Sequence, residues 1–191
     1  MLELICVDPH PAVRAGVEYL LREDERVRLV ASTDSLAAAM DLLESHLPDI
    51  VVIDPEWLTA DTLTICRRLK TAPSKPGVVV YTALAKEPGL ALQARIAGAD
   101  GLVDKAAPIE TLVDAVHTVG AGGITLPPLD PVVMEAAAQR VDPQDLALLA
   151  MLADRTPPED VAATLRLDPR GLGRRVERML PRLRTLRRHA T

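Results

Sequence analysis

Phenylalanine is absent from this 191-residue chain, and Trp57, Tyr19 and Tyr81 are its only aromatics. Proteins that hold single-stranded nucleic acid by stacking bases on aromatic platforms need more than this, which argues against that class. Cysteine is scarce too: Cys6 and Cys66 each fall inside an apolar periodic stretch. Two such thiols read as buried and reduced, not as a disulfide or a metal site. The four histidines, His10, His46, His117 and His189, show no ligand spacing with cysteine or carboxylate, so no zinc pattern is expected. No apolar run approaches twenty residues and no basic-then-apolar leader opens the chain. The expectation is a cytoplasmic protein with no membrane partner.

What is present is globular in character, with 48% hydrophobic and 26% charged residues. The length allows one large domain or two small ones. The net charge of −5 is unevenly placed: residues 1–123 carry 11 Lys and Arg against 18 Asp and Glu, whereas 124–191 carry 11 Arg against 9 acids. From Arg170 to Thr191 eight arginines stand against Glu177 alone. A basic end on an acidic chain suits a polyanion partner, although a solvated helix face carries the same signature.

Short β-branched runs alternate with stretches of helical spacing. Leu2–Val7 reads as a strand ending at Asp8. From Pro11 to Leu21 the residues Val13, Val17, Leu20 and Leu21 recur at helical spacing, with Pro11 near the start. Val27–Val30 reads as a strand, and Thr33 and Asp34 are the expected caps of a helix carrying Leu36, Met40, Leu43 and Leu47. Ile50 to Ile53, four β-branched residues between Pro48-Asp49 and Asp54, suits a strand buried on both faces, as in a parallel sheet. A helix over Asp61–Leu69, a strand at Val78–Tyr81, a helix over Pro88–Ala97 closed by Gly98, a strand at Gly101–Val103 and a helix over Pro108–Val119 follow. The last helix presents Ile109, Leu112, Val113 and Val116. Five β-then-α units predict an α/β doubly wound parallel five-stranded sheet.

Gly120-Ala121-Gly122-Gly123 and Pro127-Pro128 break the alternation, and a linker is placed there. Beyond it strand signals stop. Asp130-Pro131 opens a short helix, and Asp142-Pro143, Thr156-Pro157 and Asp168-Pro169 repeat a capping oxygen followed by proline at the first helical position. A small all-α unit is expected. In its last helix Leu172, Val176, Met179, Leu183 and Leu186 form one stripe, with Arg170, Arg174, Arg178, Arg184 and Arg188 toward the other side. Pro181 predicts that this helix ends near Leu180 or kinks.

The residues at the strand ends are Asp8, Asp54, Thr82 and Lys105. In open parallel sheets function gathers outside the carboxyl ends of the strands, so these four are expected in one pocket. Two carboxylates suit a hard cation such as magnesium. A carboxylate can also attack phosphorus to form an acyl phosphate, with the lysine offsetting phosphoryl charge.

This pattern resembles the receiver domain of two-component response regulators, most closely the NarL/FixJ type. Val7-Asp8-Pro9-His10-Pro11-Ala12-Val13-Arg14-Ala15-Gly16 stands where that family runs Val-Asp-Asp-His-Pro-x-x-Arg-x-Gly. Pro48–Asp54, Tyr81-Thr82-Ala83 and Ala97–Lys105 are similar to the phosphoacceptor, switch-hydroxyl and lysine segments. Asp142-Pro143-Gln144-Asp145 and Asp168–Leu183 resemble the opening and the recognition helix of a LuxR-type helix-turn-helix. The resemblance implies a flavodoxin-like receiver over 1–121, a linker with a short helix over 122–140 and a DNA-binding domain over 141–191. It implies Asp54 as phosphoacceptor, with Asp8, Thr82 and Lys105 around it, and magnesium held by Asp8, Asp54 and Glu56. The implied partners are double-stranded DNA, contacted by Arg170, Arg174, Arg175, Arg178 and Arg182, and a sensor histidine kinase.

Several positions depart from the family. Pro9 replaces a second acid, so magnesium is expected to bind weakly and Asp54 to be phosphorylated slowly or not at all by small phosphodonors. Trp57-Leu58 replaces Met-Pro, and Leu102 replaces an aromatic. Gly171 and Gly173 stand where Thr and a basic residue are common, each weakening the helix by about 1 kcal/mol relative to alanine. The chain ends at Thr191, with little room for the family's fourth, dimer-forming helix, so a homodimer is expected through the receiver. The function expected is transcriptional regulation by DNA binding, with a protein–protein adaptor as the rival. An enzyme is not expected, because no general acid–base partner stands in a recognisable motif beside Asp54.

Overall fold

The computed structural model describes residues 1–54, 65–66, 69–70, 74–183 and 186. The expected helix over Asp61–Leu69 therefore lies largely outside the described residues, as do Glu56, Trp57, Leu58, Arg184 and Arg188. Five strands, β1 (Leu2–Val7), β2 (Val27–Thr33), β3 (Ile50–Ile53), β4 (Gly77–Thr82) and β5 (Gly101–Asp104), form one sheet in the order β2-β1-β3-β4-β5. Every neighbouring pair is parallel. Cα register runs from Val7 to Ile53 to Val80 to Leu102, so the carboxyl ends of four strands finish almost level.

Apolar residues sit on both sides of this sheet because successive side chains on a strand point to opposite faces. Ile5, Val7, Val51, Ile53, Val78 and Val80 join one buried cluster, while Leu4, Cys6, Ile50, Val52, Val79 and Tyr81 join the other. The second face is covered by α1 (Pro11–Leu21), through Val17 and Leu21, and by the helix after β5. The first is covered by α2 (Leu36–His46), by Ile65, Cys66 and Leu69, and by α3 (Leu90–Ile96). The helix after β5 is α4 (Glu110–Gly120), which turns Leu112, Ala115, Val116 and Val119 inward. Each fully buried aliphatic side chain of this kind contributes about 1.5–3 kcal/mol.

Several local expectations are corrected. Neither Thr33 nor Asp34 caps α2: the cap is Ser35, whose hydroxyl accepts the Ala38 N–H. Thr33 instead accepts the Ser35 N–H and extends β2 beyond Val30. Leu47 leaves the helix in a left-handed conformation and is exposed. α3 starts after Gly89 (φ +83) and not at Pro88, while Gly98 (φ +86) closes it as expected. Ile109 lies before α4 and is exposed.

The carboxyl-terminal part is helical: α5 (Pro131–Ala138), a 3-10 turn (Pro143–Asp145) leading into α6 (Leu146–Ala153), α7 (Pro158–Thr164) and α8 (Pro169–Leu183). The repeated cap-proline device is realised at Asp130, which accepts the Val132 N–H, and at Asp168, which accepts the Gly171 N–H. It is not realised at Asp142 or Thr156. Asp142 makes no cap and pairs with Arg182 instead, and Pro157 occupies the cap position of α7. α8 runs through Pro181 to Leu183. Glu177, whose carbonyl loses its helical donor there, is an exposed residue, which keeps the cost of the proline low.

These helices share the first buried cluster, where Leu148, Leu149, Leu172, Val176 and Met179 are continuous with Leu90, Leu92 and Ala94 of α3. Two arginines seal the edge of this contact. Arg95 donates to the carbonyls of Ala153 (3.4 Å) and Pro127 (2.9 Å). Arg155 donates to the Ala99 carbonyl (2.6 Å) and to Asp100 Oδ1 (2.9 Å), while Asp100 Oδ2 takes the Val78 N–H (2.9 Å) and pairs with Lys70.

Candidate functional site

Strand order reverses between β1 and β3, and at their carboxyl ends stand Asp8 and Asp54. Each strand presents its terminal acid where the next backbone step leaves the sheet, so the two carboxylates face one crevice. Lys105 follows β5 and reaches back across β4. Its Nζ lies 2.7 Å from Asp8 Oδ2 and 2.5 Å from Asp54 Oδ2. Both carboxylates are buried and the lysine side chain is only 14% exposed. Burial acts to lower the lysine's proton affinity, but the hydrogen bonds and charges of Asp54 and Asp8 outweigh it and raise its pKa above 10.5. The ammonium also stands 5.7 Å from the Tyr81 ring centre, within cation–π range.

Thr82, fully buried at the end of β4, shares this edge; its hydroxyl accepts the Leu84 N–H (3.2 Å) and its carbonyl accepts the Lys105 N–H (3.1 Å). Glu56 lies outside the described residues. His10, expected to show no ligand spacing with carboxylate, does meet one. Its backbone N–H and its ring Nδ1 both meet Asp8 Oδ1, at 2.8 and 3.1 Å, and Asp8, His10 and Asp54 together form a group able to hold a metal ion. The signal available beforehand was position alone, two residues past a strand-end acid.

The second expected site is the outer face of α8. Leu172, Val176, Met179, Leu180 and Leu183 are buried, whereas Arg170, Arg174, Arg178 and Arg182 are exposed and Arg175 half-buried. Arg175 donates to the Gln144 carbonyl (3.2 Å) and pairs with Asp145, and Arg182 pairs with Asp142 (2.6 Å). Among the described residues, Arg170, Arg174 and Arg178 have no ion-pair partner. Arg174 and Arg178 border a shallow groove with Leu167, Gly171, Arg175 and Glu177.

A parallel sheet in this order, with acid, acid and lysine converging at its switch point, defines the class of a phosphoreceiver fold. Residues 4–117 match the family described as the response regulator receiver domain, and the chain belongs to that family. It is 33% identical over 170 residues to the response regulator RamR of Streptomyces coelicolor, a match covering 88% of this chain and 82% of that one. It is 28% identical to the DNA-binding transcriptional activator DevR/DosR of Mycobacterium tuberculosis, over 96% of this chain and 88% of the relative. Against the Fimbriae Z protein of Salmonella typhimurium, 29% identical, it spans 56% of the relative's length. The solved signal receiver domain of NarL from Mycobacterium tuberculosis is similar with a TM-score of 0.58 and 28% identity, over 63% of this chain and 97% of that one.

Proposed function

We propose that this response regulator controls transcription by placing α8 against duplex DNA, with residues 1–121 as receiver, 122–140 as linker and 141–191 as the DNA-binding unit. The observation that carries it is the division of α8 into a buried apolar stripe and an exposed face of Arg170, Arg174 and Arg178. In a helix-turn-helix the amino-terminal part of the recognition helix meets base edges while nearby cations meet phosphates. Arg170 and Arg174 are placed for the first task and Arg178 for the second. Arg175 and Arg182 already neutralise Asp145 and Asp142, so their role is to hold the helix onto the 3-10 turn, with DNA contact secondary. The likeness to DevR/DosR, named as a DNA-binding activator, supports the same reading.

Within the receiver, Asp54 is the acceptor. Its carboxylate oxygen attacks the phosphorus of a donor, such as a histidine kinase, and the donor's bond to phosphorus breaks. Lys105 Nζ, already at that carboxylate, is positioned to follow the charge onto the phosphoryl oxygens. Asp8 and Asp54 would hold magnesium, which when bound supplies positive charge to the phosphoryl group. Pro9 offers neither a carboxylate nor an N–H, so this hold is weak and transfer to Asp54 from small donors is slow.

Fluorescence anisotropy with a promoter fragment at low salt tests the DNA reading. Arg174→Ala should weaken binding by about 1–3 kcal/mol if it meets a base. Arg178→Ala should lower the salt slope by about one unit. Wild-type protein with no affinity for any genomic fragment would replace this reading with the adaptor. For phosphorylation, magnesium with beryllofluoride should barely change the fluorescence of the single tryptophan, Trp57, and Pro9→Asp should restore a response. Stoichiometric acyl phosphate on wild-type Asp54 after brief acetyl phosphate treatment would overturn that part.

A further inference from the structure

We propose that the Asp8–His10–Asp54 group binds a nitrogen-accepting divalent cation, of the zinc, cobalt or manganese kind, with His10 Nδ1 as a direct ligand. The proposal rests on the receiver reading for the pocket's place, but not for its donor set.

The geometry points to it in three ways. First, one atom from each of the three residues lies within 4.8 Å of the other two. Ligands bound at about 2.1 Å stand roughly 3.0–4.2 Å apart around one ion, so the three atoms are already near the spacing a shared ion requires. Second, His10 Nδ1 and Asp8 Oδ1 are already 3.1 Å apart, the spacing of adjacent ligands around one ion. The backbone N–H of His10 on the same oxygen, at 2.8 Å, fixes the ring's approach. Third, the two oxygens of Asp8 are divided. Oδ2, enclosed and without another hydrogen-bond partner, faces the Lys105 ammonium, while Oδ1 faces His10. An ion on the Oδ1 side therefore does not have to displace lysine from Asp8.

The His10 side chain is 60% exposed, so its ring can turn Nδ1 to an ion while the rest of the imidazole stays in solvent. Two carboxylates and one imidazole suit first-row transition ions, whereas magnesium prefers oxygen alone. Pro9, with no donor of its own, leaves the coordination next to Asp8 to His10.

The experiment is calorimetric titration of the full chain with zinc and with magnesium, for wild type, His10→Ala and Asp8→Asn, folding being checked by circular dichroism. Echo-detected electron spin resonance of the manganese-loaded protein then looks for coupling to ligand nitrogen. His10→Ala should weaken zinc by roughly tenfold or more while changing magnesium by less than about twofold, and should abolish the nitrogen coupling. Asp8→Asn should weaken both ions. Zinc affinity equal in wild type and His10→Ala, or no nitrogen coupling in wild type, would overturn the proposal. Neither result touches DNA binding, whose separate loss would instead speak against the regulator reading.

Discussion

Lys105→Met removes a cation shared by two buried carboxylates. At an effective dielectric of about 20, a unit pair near 2.6 Å attracts by about 6 kcal/mol, but the ammonium's desolvation cancels most of that. Removing one partner of such a buried pair costs about 3–5 kcal/mol. The lysine's 14% exposure admits some solvent, which reduces the expected cost at neutral pH to about 2–4 kcal/mol. For a chain of this length about 3 kcal/mol corresponds to a fall in melting temperature of roughly 6–12 °C. The variant should also acquire a pH dependence. Two carboxylates left facing one another repel, so the variant's deficit relative to wild type should shrink as pH falls from neutral. The wild type behaves differently: its raised lysine pKa contributes stability that is complete below the unfolded value and is lost as pH rises through the folded one, above 10.5. Urea melts across pH read both effects. A variant within about 0.5 kcal/mol of wild type, with no pH dependence, would refute the ion-pair account.

Burial pushes the Cys6 and Cys66 thiols up to about 12, so iodoacetamide at about pH 8 should label neither in the native protein and both in urea, by mass spectrometry. Gly101→Val would place Cβ 2.6 Å from Thr125 Oγ1 and 3.3 Å from Val79 Cγ2, and should cost about 1–3 kcal/mol and speed exchange of the Thr125 amide. Burial would raise the Asp24 pKa, but the Arg26 N–H and His117 outweigh it and lower it. Its contribution is present above the usual 3.8 and lost as pH falls through the folded value, so Asp24→Asn should flatten the acid limb of the stability profile. Arg95→Ala should expose the Pro127 region to protease before the sheet unfolds, since it removes the donors to the Pro127 and Ala153 carbonyls; cleavage at the wild-type rate would argue against this.

Ile50–Ile53 was legible because a four-residue apolar run with a polar stop admits few structures, and parallel pairing then carries every strand-end residue to one edge. That argument places Asp8, Asp54 and Lys105 together without any contact being known. It does not reach the dock of α6 on α3, because Arg155 and Asp100 are 55 residues apart and neither has a local signature. Nor does it separate Arg174 from Arg175, adjacent in the chain, one exposed and the other turned toward Asp145. Histidine spacing gave no metal pattern because His10 meets its carboxylates through the end of a strand and across the sheet, not along a helix.

Gly120, Gly122 and Gly123 would be taken for a swivel, yet they serve as the stopper of α4: Gly122, at φ +81, passes its N–H to the Val119 carbonyl and Gly123 passes its own to Thr118. Thr125 then lies beside Gly101 as a one-residue extension of the sheet, donating to the Asp100 carbonyl. The leash joining the two halves is thus pinned beyond its glycines, at Thr125 and again where Arg95 holds the Pro127 carbonyl, and its free length is counted from Pro128. Residues inserted between Gly123 and Thr125 would bulge without adding reach, whereas the same insertion after Pro128 would lengthen the span over which α5 to α8 can search for a second binding surface.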